Sequence, residues 1–420
     1  MKAYHNRDKG IGIIYDDIWL AGGMRTPFGK LCGTLSQVSP TDLGIYAGRA
    51  ALAKVGVDAG EVDQLIAANI GQSSADSYFL PRHIALYTGI NMNVPNLMVQ
   101  RICASGFETM ITASEQISLG KAENVLCVGT ENMSLNPTSS FGNRMGYALG
   151  RLNFVDMLWE SLNDTAVGAP MGVTAENVAK KYNITREEVD VFGKQSSDKA
   201  LAATEKGFFK DEIAPVNSTV FEREGLKPRK FNLPRGVANF AGDENVRPTT
   251  MEALAKLPPV FGKDGVQTAG NSSGIVDGAC AVLVSKESFI KAKGIKPLTK
   301  IVASTSTGID PNYMGLGPVP AINLILELTG LKLEDIGLIE INEAFAAQYI
   351  GCEKALGLNR DIVNVNGGAI AIGHPLAATG TRLSLTMSRE MNERKVKYGI
   401  ASACIGGGQG TAVLFENINL

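Results

Sequence analysis

Four residues in this chain have the types and settings that could do chemistry together. Cys103 follows the short apolar run Asn96–Ile102 and precedes Ala104-Ser105-Gly106. Phe107, Met110, Ile111, Ser114 and Ile117 then recur at helical spacing. A thiol at such a strand-to-helix joint faces the unpaired N–H groups of the first turn, whose partial positive charge favours the attacking thiolate. The sequence therefore predicts a lowered pKa for Cys103, with Ala104-Ser105-Gly106 offering an N-cap. His374 stands in NVNGGAIAIGHPLAATG, Asn364–Gly380, where glycines permit sharp turns and Pro375 can begin a helix. Cys404 opens Cys404-Ile-Gly-Gly-Gly-Gln-Gly-Thr411, right after the expected strand Gly399–Ala403. Its consecutive glycines expose N–H groups that suit a developing oxyanion. Asn342 and Glu343 end an apolar strand with polar side chains, a costly position unless they bind something. A helix cap by Asn342 is the plainer alternative. A nucleophilic Cys, one His, a second Cys and a strand-end Asn fit acyl transfer through a thioester.

The other candidates are weaker. His5 lies in a polar N-terminal extension expected to be mobile, and His83 reads as a structural helix residue. Cys32, Cys127, Cys280 and Cys352 read as buried structural thiols. No CxxC pair exists, which argues against zinc, a disulfide framework or a dithiol redox motif. The glycine run after Cys404 is not a phosphate loop, since no Gly-Lys-Ser/Thr follows.

The elements that must position these residues occur twice. Val62–Asn69 and Asp335–Asn342 are apolar strands ending in asparagine, each after a helical pattern closed by Gly56-Val57 or Gly330-Leu331. Helices ending near Gly89-Ile-Asn91 and Gly357-Leu-Asn359 follow. Each half then has a strand (Asn96–Ile102; Ile362–Asn366), a Gly/Ser-rich turn, a helix and another strand (Asn124–Gly129; Gly399–Ala403). The offset of about 270 residues suits two duplicated α/β halves. Alternating strands and helices predict mostly parallel sheets, with ligands outside the strands' carboxyl ends. Between the halves the texture changes to helices, Val173–Tyr182 and Arg186–Lys206, separated by polar loops. The expected organisation is an N-terminal half at 1–131, an insert at 132–258, a return to the first half at 259–285 and a C-terminal half at 286–420. The basic segment Phe221–Lys230, with Arg235 and Arg247, reads mainly as a solvated loop.

With 45% hydrophobic and 20% charged residues, the chain is an ordinary globular protein large enough for two or three domains. A net charge of −2 gives no global case for binding nucleic acid or an acidic membrane. No signal-peptide core and no apolar run of membrane-spanning length is evident, so a cytoplasmic location is expected.

Several motifs together resemble those of the thiolases, the acetyl-CoA C-acyltransferases. They are Arg101-Ile-Cys-Ala-Ser-Gly106, Asn342-Glu-Ala-Phe-Ala346, Gly367-Gly-Ala-Ile-Ala-Ile-Gly-His374 and Cys404-Ile-Gly-Gly-Gly408. Met171–Val178, Thr268–Gly274 and Met314–Pro320 match as well, and the resemblance runs from about Ile18 to Glu416. It implies a thiolase-like fold: two duplicated mixed-sheet α/β halves with helices on both faces, plus an inserted α-rich loop domain that binds CoA. It implies Cys103 as the acylated nucleophile, His374 as its base and Cys404 as the acid/base at the substrate α-carbon. Asn342 would hold a water that, with His374, stabilises an enolate, and the N–H groups of Cys103 and Gly406 would form a second oxyanion hole. Met171, Phe261, Ser273 and Met314 would line the pantetheine tunnel, with Phe345 beside the substrate and Arg247 near the nucleotide.

Coenzyme A is then a substrate, no tightly bound cofactor or metal is expected, and the protein would be a homodimer or homotetramer. Three departures bear on chain length: Ala377 in place of a common glycine, Pro170 as in many degradative 3-ketoacyl-CoA thiolases, and the bulky Trp159. A decarboxylating ketoacyl synthase on the same fold, or an acyl-CoA or lipid-binding protein without turnover, are the alternatives. Cys404 and the intact four-residue set speak against them.

Overall fold

A computed structural model describes residues Met1–Leu420. Nine strands form the spine of one sheet, in the order Asn96–Met98, Gln64–Ala68, Asn124–Glu131, Val276–Lys286, Ile18–Arg25, Thr299–Gly308, Gln409–Glu416, Tyr398–Ile405 and Leu338–Ile341. The order reads outward the same way from the joint between Ile18–Arg25 and Thr299–Gly308, which pair through Thr299 with Leu20 and Lys300 with Trp19.

The sheet is mixed rather than mostly parallel. Only the outer pairs run parallel: Gln64–Ala68 with both its neighbours, and Leu338–Ile341 with Tyr398–Ile405. The inner pairs are antiparallel. Ile405 turns straight into Gln409, and Val276–Lys286 arrives from the insert to lie between Ile18–Arg25 and Asn124–Glu131.

Helices recur in step with the strands. Pro40–Val55 and Pro318–Thr329 both begin on proline and end on a glycine of positive φ, Gly56 at 76° and Gly330 at 70°. A proline loses nothing at a helix start, and a left-handed residue closes the last turn. Leu80–Thr88 and Ala346–Leu356 end in the same manner. Strand alternation then sets the layers. Val125 and Cys127 face a core shared with the Ser105–Ser118 and Thr379–Arg394 helices, while Leu126 and Val128 face the opposite core with Leu43 and Ala47. Val413 and Phe415 join the first of these cores, and Ala412 and Leu414 face a third with Ile322 and Tyr349. The two middle helices are therefore enclosed between the halves, one contributed by each.

Three local expectations are corrected. The Asn96 strand ends at Met98, because the backbone leaves the sheet before Cys103. Ile362–Asn366 is not a strand: a 3-10 turn covers Arg360–Ile362, and Asn364 holds the N–H and carbonyl of Ile341 with its side chain. The N-terminal extension is a hairpin, Lys2–Asn6 with Gly10–Ile14, whose second strand pairs with Thr299–Gly308; His5 sits opposite Ile11.

The insert carries helices Met171–Lys181 and Arg186–Glu205, the second opened by a Thr185/Glu188 capping box. Its basic loop is not simply solvated. Arg229 pairs with Asp42 and Asp76, and Arg223 donates to the carbonyls of Leu86 and Ile90, fastening the insert to the first half. No helix is long and apolar enough to cross a membrane.

Candidate active site

Cys103 sits in a 3-10 turn, Ile102–Ala104, that runs into the Ser105–Ser118 helix. Ile102 before it has φ 40°. A β-branched residue there costs on the order of 1–3 kcal/mol and persists only where its surroundings enforce it. Ser105 does so: its Oγ accepts from Arg101 N–H and donates to the Ile102 carbonyl, both at 2.7 Å. Serine thus fastens the turn internally, and the helix start lacks a side-chain cap.

His374 follows Gly373, whose φ of 109° an L side chain rarely adopts and whose missing Cβ leaves room for Val276. Its own N–H donates to the Gly274 carbonyl at 2.9 Å. Its Nδ1 lies 2.6 Å from Thr379 Oγ1, which is also 3.1 Å from the Pro375 carbonyl. With the Thr379 proton directed to that carbonyl, Nδ1–H donates to Oγ1. Nε2 is then the unprotonated nitrogen. Asn342 Nδ2 faces it at 3.3 Å, and Asn342 Oδ1 is buried without a partner. Asn342 is not a helix cap, since the next helix begins at Ala346 on Phe345. Glu343 is not part of this group; it accepts from Ser196, Asn364 and the Ile370 N–H, and braces the Gly367–Gly373 turn.

A cavity of about 450 Å³ opens on this group. Cys103 and His374 line it, with Met171, Phe261, Ser273, Met314 and Phe345 from the sequence-predicted CoA set. Asn342 and Cys404 are fully buried just outside that lining, and Cys404 packs with Met314 and Ala344. Cys404 lies within the Tyr398–Ile405 strand, one residue past the strand end expected from sequence. Gly406 lines a second, more polar cavity with Ile102 and Met171. Arg247 is exposed and touches neither cavity. The insert holds the Ser273 turn in place: Glu176 accepts from Val266 and Gln267 N–H, and Asp190 from Asn271 Nδ2. Ser273 N–H in turn donates to Ala344.

Sequence reasoning missed Thr379, and also the apolar residues Leu31, Met133, Leu162, Ile275 and Leu376 that complete the cavity. Thr379 could have been found as a hydroxyl five residues beyond the only histidine in a glycine-rich turn. The apolar wall left no signal, since such residues read as core. Ala377 has an ordinary negative φ, so its methyl introduces no backbone strain.

The electrostatics correct one expectation. Burial pushes the Cys103 thiol up to about 11, although the N–H groups of Gly406 and of Cys103 itself favour the thiolate. Burial, with the positive charge of Arg382, pushes His374 down to about 3. The resting pair is thus a thiol and a neutral imidazole. Desolvation in an apolar cavity outweighs two amide dipoles. Cys404 is likewise held protonated by burial and by Cys103.

The family "Thiolase, N-terminal domain" matches residues 18–288, and "Thiolase, C-terminal domain" matches 295–417. The chain is 44% identical over 402 residues to a 3-ketoacyl-CoA thiolase, mitochondrial, of Bos taurus, covering 95% of this chain and 98% of the relative. It is 41% identical over 408 residues to an acetyl-CoA acetyltransferase of Pseudomonas aeruginosa, covering 94% and 98%. The crystal structure of human mitochondrial 3-ketoacyl-CoA thiolase in complex with CoA superposes with a TM-score of 0.91 at 42% identity, covering 97% of this chain and all of that one. The fold, the enclosed helix pair and these matches agree: the chain belongs to the thiolase family of acyltransferases.

Proposed function

We propose that the chain catalyses CoA-dependent cleavage of 3-ketoacyl-CoA to acetyl-CoA and a shortened acyl-CoA, and the reverse Claisen condensation, a reaction of fatty acid metabolism. The observation that carries this reading is His374, held through Nδ1 by Thr379 and faced at Nε2 by Asn342, on the cavity that Cys103 lines.

Cys103 gives its proton to Nε2 as its sulfur attacks the C3 ketone. The C2–C3 bond breaks, and the acetyl-CoA enolate takes a proton at C2 from Cys404. A water held by Asn342, with the protonated His374, stabilises the enolate oxygen, while the N–H groups of Cys103 and Gly406 stabilise the oxyanion at the acyl carbon. Coenzyme A then gives its thiol proton to Cys404 and attacks acyl-Cys103. The departing sulfur recovers its proton from His374, so every group returns to its starting state.

Met171, Phe261, Ser273, Met314 and Phe345 would contact pantetheine, the insert at 132–258 being the CoA-binding segment, with Arg247 near the nucleotide. Leu31, Met133, Leu162, Ile275 and Leu376 would take the acyl chain, and their apolar character favours chains longer than acetyl. Assembly as a homodimer or homotetramer is part of this reading. It is supported by the unpaired edge of Asn96–Met98, where Leu97 and nearby Met92 are exposed.

Incubation with acetoacetyl-CoA and CoA, with mass spectrometry of Cys103, tests the mechanism. Loss of the ketoacyl thioester and an acyl mass on Cys103 are expected. Normal turnover by Cys103→Ala, or a wild type that neither turns over nor acylates, overturns it.

A further inference from the structure

Glu131 closes the Asn124–Glu131 strand with none of its surface exposed, and no step above uses it. Its Oε1 accepts from Asn69 Nδ2 at 2.9 Å and from Gly71 N–H at 2.8 Å. Its Oε2 accepts from Ile70 N–H at 3.2 Å and from Ala377 N–H at 3.1 Å. Asn69, Ile70 and Gly71 lie in the first half, whereas Ala377 belongs to the turn that carries His374. Ile70 also packs against the small apolar cluster of Cys103, Met133 and Leu376. Four N–H donors converging on one side chain require a carboxylate. A carboxylic acid or an amide would point a hydrogen of its own at one of them.

We propose that Glu131 is a positioning residue, its carboxylate clamping the Asn69–Gly71 turn and the His374 turn to each other across Cys103. This joins the two halves at the one place where their reactive residues must meet. The same charge opposes ionisation of the Cys103 sulfur, so the clamp also favours the resting thiol. The titratable groups facing it are Cys103 and Asp277, the latter on the neighbouring Val276–Lys286 strand. Burial, reinforced by Asp277, pushes Glu131 up to about 7 against the three backbone N–H groups that hold it ionised. The clamp therefore weakens as pH falls through neutrality.

The rate readout rests on the thiolase reading; the other two do not. In the full-length protein Glu131→Gln should lower kcat for acetoacetyl-CoA thiolysis about 100-fold, the scale of a small misplacement of reacting groups. KM for CoA should change less than about twofold, because CoA contacts lie elsewhere. Alkylation of Cys103 by iodoacetamide, followed by peptide mass spectrometry, should shift to lower pH in the variant. Wild-type kcat together with an unshifted alkylation profile overturns the proposal. In the wild type, hydrogen exchange of the peptide spanning His374–Thr379, corrected for intrinsic rates, should lose protection as pH falls through neutrality; constant protection overturns it even if the variant does not fold. A wild type without thiolysis, but with shifted alkylation in the variant and pH-dependent protection, leaves the clamp standing and removes the thiolase reading alone.

Discussion

Gly106 and Gly380 meet backbone to backbone where the two enclosed helices cross. A methyl group built on Gly106 would lie 2.6 Å from the Thr381 nitrogen and 2.8 Å from the Ala377 carbonyl oxygen, and one on Gly380 would strike the Phe107 nitrogen. This crossing sets the separation of Cys103, three residues before Gly106, from His374, six residues before Gly380. Gly106→Ala should therefore destabilise the protein by about 1–3 kcal/mol, as overpacking does in a close-packed core. Calorimetry should show a lower Tm, and thiolysis at a temperature well below it should also be slower. An unchanged Tm would mean the crossing has slack.

Thr379 contacts His374 and does not line the cavity. Thr379→Val keeps the shape but leaves Nδ1–H without an acceptor and frees the ring to take the other tautomer. We expect kcat to fall about 10- to 100-fold with little change in KM for CoA, and Thr379→Ser to retain most of the activity. Steady-state kinetics of the two variants decides it. Loss in Thr379→Ser with activity kept in Thr379→Val would point to the threonine methyl instead.

The two depressed or raised groups at the site make stability depend on pH in opposite directions. Between about 3 and the ordinary 6.5 of histidine, the unfolded chain binds a proton at His374 that the folded chain refuses. Stability from this group is thus present above 6.5 and lost as pH falls toward 3. Between the ordinary 9.0 and about 11, the unfolded chain loses the Cys103 proton that the fold retains, so stability falls as pH rises. Relative to wild type, His374→Gln should gain in urea midpoint as pH falls from 6.5 toward 3, and Cys103→Ser as pH rises from 9.0 toward 11, because each variant lacks the group responsible.

Leu162 and Met133 face Cys103 from the apolar side of the cavity. Leu162→Trp should shorten the space for the acyl chain and cut kcat/KM for a 3-keto substrate of eight carbons by about 10- to 200-fold relative to acetoacetyl-CoA, the range hydrophobic pockets discriminate. Parallel loss on both substrates would place the chain elsewhere.

Much of this was legible in the residues. Glycines closing helices at Gly56 and Gly330, and apolar strands ending in asparagine, mark the repeated elements, because caps and turns are local and specific. The Cys103, His374, Asn342 and Cys404 settings were equally local. What was illegible depended on neighbours distant in sequence. Ile362–Asn366 has strand composition, but Asn364 takes the hydrogen bonds a ladder would use. Arg223 and Arg229 look like solvated charges until Leu86, Ile90, Asp42 and Asp76 are beside them. Glu131 looks like an ordinary acidic residue at a strand end.

The sequence by itself determined which residues could react, since the cysteines, the histidine and the glycine-rich turns stand in short motifs. It also determined that there are two similar halves. Only the tertiary structure decided the protonation state of the site. A helix start read alone favours a thiolate at Cys103, yet enclosure between the halves removes the water that would solvate a charge, and desolvation prevails. Tertiary packing also set the surroundings of His374, where Asn342 comes from another element of the same half, and the four donors on Glu131, which come from both halves.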